Sequence, residues 1–142
     1  MPFLMQIKPL SYIGVEFEME QSFNEALLKL CMVFYRIDGK ITLSEQDYYD
    51  SVYRHINWQG EEDLEEFQRQ SIHQVRDAVE NGEAKEFVMS LKDPLSFNAK
   101  KALAIAQGIC LIDGDIAEQE QELLDYLKFR VLAKYLDKID VA

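Results

Sequence analysis

Apolar residues recur at three- and four-residue steps along most of the chain, and Gly, Asn or Pro stands at the breaks between runs. Between residues 22 and 37, Phe23, Leu27, Leu30, Cys31, Phe34 and Ile37 fall on one stripe of a helix that Asp38-Gly39 ends. Thr42 and Glu45 then match a T-x-x-E capping box. Tyr48, Tyr49, Val52 and Ile56 continue a second helical stripe to about Trp58, which Gln59-Gly60 closes. The acidic run "EEDLEEF" suits the positive N-terminal end of a third helix, whose Leu64, Phe67, Ser71, Val75 and Ala78 keep helical spacing as far as Asn81-Gly82. A short helix with Phe87, Val88 and Leu91 follows and is broken by Asp93-Pro94. Residues 97–112 then predict a strongly apolar helix, with Ala102, Ile105, Ala106, Ile109 and Ile112, and a last helix runs from about Glu118 to Asp140.

Only "YIGVEFEM", residues 12–19, alternates as a strand would, and one strand makes no sheet. The reading is therefore all-α: six or seven helices in a bundle, with residues 1–20 as an N-terminal arm and 21–142 as the helical domain, the first natural helix beginning near Met19. Packing of the arm on a second copy of the chain, as a homodimer, is one arrangement. Leu27, Leu30, Phe34, Leu64, Phe67, Phe87, Leu103, Ile105, Ile109, Leu124, Leu127 and Leu132 are expected to supply the core. At 142 residues, one such core can cover about two-thirds of the unfolded chain's surface.

Two stretches raise the question of chemistry. In "IDGKITLSE" (37–45) and "IDGDIAEQE" (112–120), an Asp-Gly pair, an aliphatic residue and a Glu repeat at the same internal spacing. A shift of 75 positions lays one apolar helix and its turn over the other, which makes the chain two related helical hairpins. Calcium-loop spacing is present only in part. The first and third loop positions, which must supply oxygen ligands, are Phe34 and Arg36 in one copy and Ile109 and Leu111 in the other, so neither copy closes an EF-hand site.

Across residues 21–136 this duplicated unit resembles the tellurite-resistance protein B (TerB-like) family. The resemblance implies an all-helical domain with both hairpins around one core, and a non-enzymatic, cytoplasmic role in bacterial metal or envelope stress through protein contacts. Ile37 and Ile112 stand where family members commonly carry a small Ala before the Asp-Gly pair.

Two readings of the turns stay open. As punctuation, Gly39 and Gly114 end helices in the left-handed conformation, Ile41 and Ile116 anchor the turns, and Glu45 caps the next helix. As a site, Asp38, Glu45, Asp113 and Glu120 converge at facing corners and share a divalent cation, Mg²⁺ or Ca²⁺ being the hard ions that oxygen ligands favour, which would make the protein a metal sensor. Ala117 holds the cap position that Thr42 holds in the first copy, so Glu120 lacks a hydroxyl partner.

Charge narrows the partners. Twenty-six acidic against fifteen basic residues give a net charge of −11, which opposes nucleic acid and anionic membrane surfaces and favours basic protein surfaces or cations. No apolar stretch is long enough to insert in a bilayer, and the N-terminus carries no secretory pattern. Cys31 and Cys110 sit inside apolar helical runs and read as reduced core thiols. His55 and His73 show no paired ligand spacing, the serines no nucleophile motif, and no Gly-rich phosphate loop occurs. The aromatic cluster Tyr48, Tyr49, Tyr53 and Trp58 is either core packing or a partner groove.

Overall fold

The computed structural model describes residues 10–37, 49–54, 56, 58, 63–112 and 116–136, with side chains from Met19 onward. These residues form helices and no strand: α1 (Leu10–Arg36), α2 (49–54), α3 (Leu64–Glu80), α4 (Ala84–Ser90), α5 (Lys92–Leu95), α6 (Ala99–Leu111) and α7 (Glu118–Tyr126). A 3₁₀ turn at Ser96–Asn98 joins α5 to α6. A π-turn at Leu127–Val131 continues α7 and leads to a helical turn at 133–136. The all-α expectation holds.

Helix α1 is the axis of the domain. It packs on α3, α4, α5, the 3₁₀ turn and α6. From Phe23 to Tyr35, all residues except Glu25 and Lys29 are buried, Asn24 included. The single stripe expected for this segment is thus too narrow. Leu28, Met32, Val33 and Tyr35 fill the gaps between stripe positions, and a helix apolar on all sides is one enclosed on all sides. Burial of each large side chain here contributes about 1.5–3 kcal/mol, so this helix carries a large share of the fold's driving force.

The start of α1 differs from the expected first helix near Met19. The helix is already formed at Leu10, so residues 10–18 are neither strand-like nor extended. The physical reason is that eight alternating residues also satisfy helical steps: Tyr12, Val15, Met19 and Phe23 lie three and four apart, and no proline intervenes.

Helix ends follow local chemistry where they are described. Gly82 closes α3 at φ 71°, with Glu83 N–H donating to Ala78 O at 2.7 Å and Gly82 N–H to Val79 O at 3.1 Å, the paired bonds of a Schellman ending. Asn98 opens α6 by accepting from Lys101 N–H at 3.2 Å. Helix α4 ends at Leu91, before Asp93-Pro94. Pro94 lies in the first turn of α5, where an amide N–H has no helical partner to lose. The last helix departs from expectation in its interior: Leu132 N–H reaches Leu127 O at 2.9 Å, one residue further than an α-helical bond. This wider turn swings Leu132 towards the face of Leu127 and Val131, and all three are buried.

Of the expected core, Leu27, Leu30, Phe34, Phe67, Ile109, Leu124, Leu127 and Leu132 are buried, whereas Leu64, Phe87, Leu103 and Ile105 are only half-buried. On α6 the inward positions belong instead to Ala99, Ala102, Ala106, Ile109 and Cys110. Small residues let α6 pack against α1, Leu103 packs only partly against the core, and Leu111 is left exposed.

Two substitutions test this account by urea denaturation. Phe34→Ala removes a fully buried ring from the central helix and should cost about 3–5 kcal/mol. Gly82→Ala should cost about 1 kcal/mol, lowering Tm by about 2–5 °C, through left-handed strain alone, since an added Cβ would meet nothing within 4 Å.

Candidate functional site

Of the four carboxylates singled out by the repeat, Asp38, Glu45 and Asp113 lie outside the described residues, as do Gly39 and Gly114. Glu120 is described. It sits in the first turn of α7, where a negative charge suits the helix dipole, and it is buried at 5 % exposure. Its carboxylate accepts from the Ala117 backbone N–H at 3.3 Å. Ala117 is extended, with φ −64° and ψ 150°, and lacks a hydroxyl to return the bond. Glu120 therefore supplies half of a capping box without the Ser or Thr that the full motif needs. Among the described residues no three His, Cys, Asp or Glu side chains are grouped closely enough to hold a metal ion.

The remaining chemistry-bearing residues are placed plainly. His55 lies outside the described residues. His73 is exposed on α3, its Nδ1 accepting from the Arg76 guanidinium at 2.8 Å. Cys31 and Cys110 are free, buried thiols in the core, and burial pushes the Cys31 thiol up to about 12. No described helix is long and apolar enough to cross a membrane.

The aromatic cluster divides between packing and a recess. Trp58 packs against Phe67 of α3, ring centroids 5.0 Å apart. Tyr49 meets Tyr35 edge-on at 5.6 Å and stacks with Tyr53 at 6.4 Å. Its hydroxyl donates to Gln68 Oε1, which ties α2 to α3. Burial raises the Tyr49 pKa, with repulsion from Cys31, Tyr53 and Asp50 adding in the same direction. Met32, Tyr35, Arg36, Tyr49, Gln68, Ile72 and Val75 enclose a cleft of about 380 Å³ here, small for a ligand site. Tyr48 lies outside the described residues.

A second recess, of about 320 Å³, runs between the outer face of α6 and the segment after α7. Lys100, Leu103, Ala104 and Gln107 repeat at helical steps on α6, and Leu111 continues the row. Phe129, Ala133 and Leu136 face them. Phe129 is 63 % exposed and Leu111 58 % exposed, with the Lys128 ammonium 5.3 Å from the Phe129 ring centre. The charge here runs against the chain as a whole. Residues 99–112 contain Lys100 and Lys101, and residues 127–136 contain Lys128, Arg130 and Lys134: five basic residues and no acidic one. Removing those five from fifteen leaves ten basic residues against twenty-six acidic, so the rest of the chain carries −16. Sequence reading expected this helix to lie in the core and missed its outward row. The available signal was the three- and four-residue spacing of Ala99, Ala102, Ala106, Ile109 and Cys110, which marks one packed side, with Lys100, Ala104, Gln107 and Leu111 spaced likewise on the other.

Two measurements check these placements. Glu120→Ala should cost about 1 kcal/mol in urea denaturation, because it frees the Ala117 N–H. Raised pKa values of Cys31 and Tyr49 favour their neutral forms in the fold, so stability is fully present below the unfolded thiol's value of 9.0 and falls as pH rises from there towards about 12. A denaturation series at alkaline pH should show that fall, and Cys31→Ala should make it shallower. The chain matches no known protein-family model, no curated protein and no solved structure.

Proposed function

We propose that this protein is a non-enzymatic interaction module of the TerB-like class, acting through protein contacts in a bacterial metal or envelope stress response. The duplicated Asp-Gly…Glu units and the all-helical fold support the class. The observation that carries the function is the exposed apolar row on α6 with Phe129 opposite it. Two adjoining helical segments that present apolar side chains along a shared recess form the kind of surface that partner proteins cover.

The test is site-directed capture at native abundance. With a photo-crosslinking side chain at position 129, the full chain should capture a reproducible protein partner in cells, and the same side chain at exposed position 73 should not. Equal capture from both positions, or none from 129, would refute the reading. The metal-sensor alternative is separated by calorimetry. A module whose Asp-Gly turns are structural gives no calcium or magnesium heat that Asp113→Asn abolishes, whereas a cation shared by Asp38, Glu45, Asp113 and Glu120 does.

A further inference from the structure

We infer that the recess between α6 and the segment after α7 is a docking groove for an acidic amphipathic helix of a partner protein. This rests on the interaction-module reading and names the partner's chemistry. The floor is apolar, formed by Leu103, Ala104, Phe129, Ala133 and Leu136, and Lys100 and Lys128 stand on its two sides. From Lys100 to Leu111 the outer row of α6 extends about 16 Å, the length of three turns of an occupying helix. Such a helix would set apolar residues at i, i+3 or i+4, and i+7 into the floor, leaving its flanks over Lys100 and Lys128.

Charge decides which helix fits. Both charged residues that line the groove, Lys100 and Lys128, are basic, on a chain whose net charge is −11. A basic helix would meet like charge here, whereas glutamates on an acidic helix would pair with both lysines, and the acidic excess of the chain discourages an acidic helix elsewhere. The same asymmetry disfavours a flat anionic membrane, because the acidic remainder resists approach and a recess matches a rod better than a plane. Phe129 is the natural anchor: it is aromatic, exposed, and held beside the Lys128 ammonium, as central interface residues commonly are.

Fluorescence anisotropy on the full chain tests the proposal with a labelled synthetic peptide of about 15 residues, long enough to form a helix. Its leucines occupy i, i+3, i+4 and i+7, and glutamates fill the other exposed positions. Two control peptides replace glutamate by lysine, or leucine by serine. The acidic peptide should bind saturably, weaken as salt is raised, and bind at least about tenfold more weakly to Phe129→Ser and to the double variant Lys100→Glu with Lys128→Glu. These positions are exposed, and circular dichroism identifies any variant that has lost its fold; each single reversal, Lys100→Glu or Lys128→Glu, provides a second test at the same recess. Neither control peptide should bind. Absence of binding by the acidic peptide, equal binding of the lysine peptide, or unchanged binding to every folded variant overturns the inference. Binding to phosphatidylcholine vesicles that requires added phosphatidylserine and is lost in Phe129→Ser would likewise overturn it, in favour of a membrane contact. If position 129 still captures a protein in cells while the acidic peptide fails, the docking chemistry is wrong and the interaction-module reading stands.

Discussion

From Phe23 to Tyr35 the first helix presents only Glu25 and Lys29 as less than buried, and a helix covered to that degree needs neighbours on every side. The short elements that follow α3 meet that need. Helices α4 and α5, the 3₁₀ turn and α6 change direction several times within some thirty residues, and each bend lays another apolar surface against the same central rod. The cost is a set of helix ends whose backbone groups must be satisfied locally. Gly82 and Asn98 do so by a left-handed ending and a side-chain cap, and Pro94 does so by occupying a position with no N–H to satisfy. Continuous enclosure of α1 and frequent capping are two sides of one constraint.

Close approach to α1 also explains the unusual composition of α6. Ala99, Ala102 and Ala106 on its inner side let the two helices pack together, while Ala104 and Leu111 stay exposed on the other side. The π-turn acts in the same sense at the chain's other end: it turns Leu132 inward, while Phe129, on the opposite side of that turn, remains exposed. Packing of the core and exposure of the recess are thus linked through the same two segments.

Glu120 shows how a motif residue can be structural and still be consistent with its repeat. The second copy lacks the hydroxyl cap, yet the carboxylate alone bonds the Ala117 N–H and is buried in doing so. Retention of Glu seven positions after Asp in both units therefore has a helix-start explanation in the copy where it can be seen. That copy shows one carboxylate engaged with the backbone, with no grouping of further acidic ligands among the described residues.

The sequence by itself determined the helical class, because the 3.6-residue period persists from Phe23 to Leu132. It also determined the end at Asn81-Gly82, because Gly acts there through local backbone chemistry, and it started the next long helix near residue 97, although the Asn98 cap itself emerged only from the structure. It identified the buried thiols, and it located Glu120 at a helix start. Other features were decided only in three dimensions. Eight residues that alternate and also keep helical steps do not distinguish a strand from a helix, and α1 extends through them to Leu10. A strongly apolar helix does not say which side is covered, so the burial of Ala102 and Ala106 and the exposure of Leu111 on α6 follow from where α1 lies. The π-turn depends on which residue must reach the core, and that is set by elements distant in sequence. The pairing of Lys100 and Lys128 at one recess was invisible in the net value of −11, since the two lie in separated segments that meet only after the chain folds. Period and capping are local properties of a chain, whereas the side on which a helix finds its neighbour is a property of the whole packing.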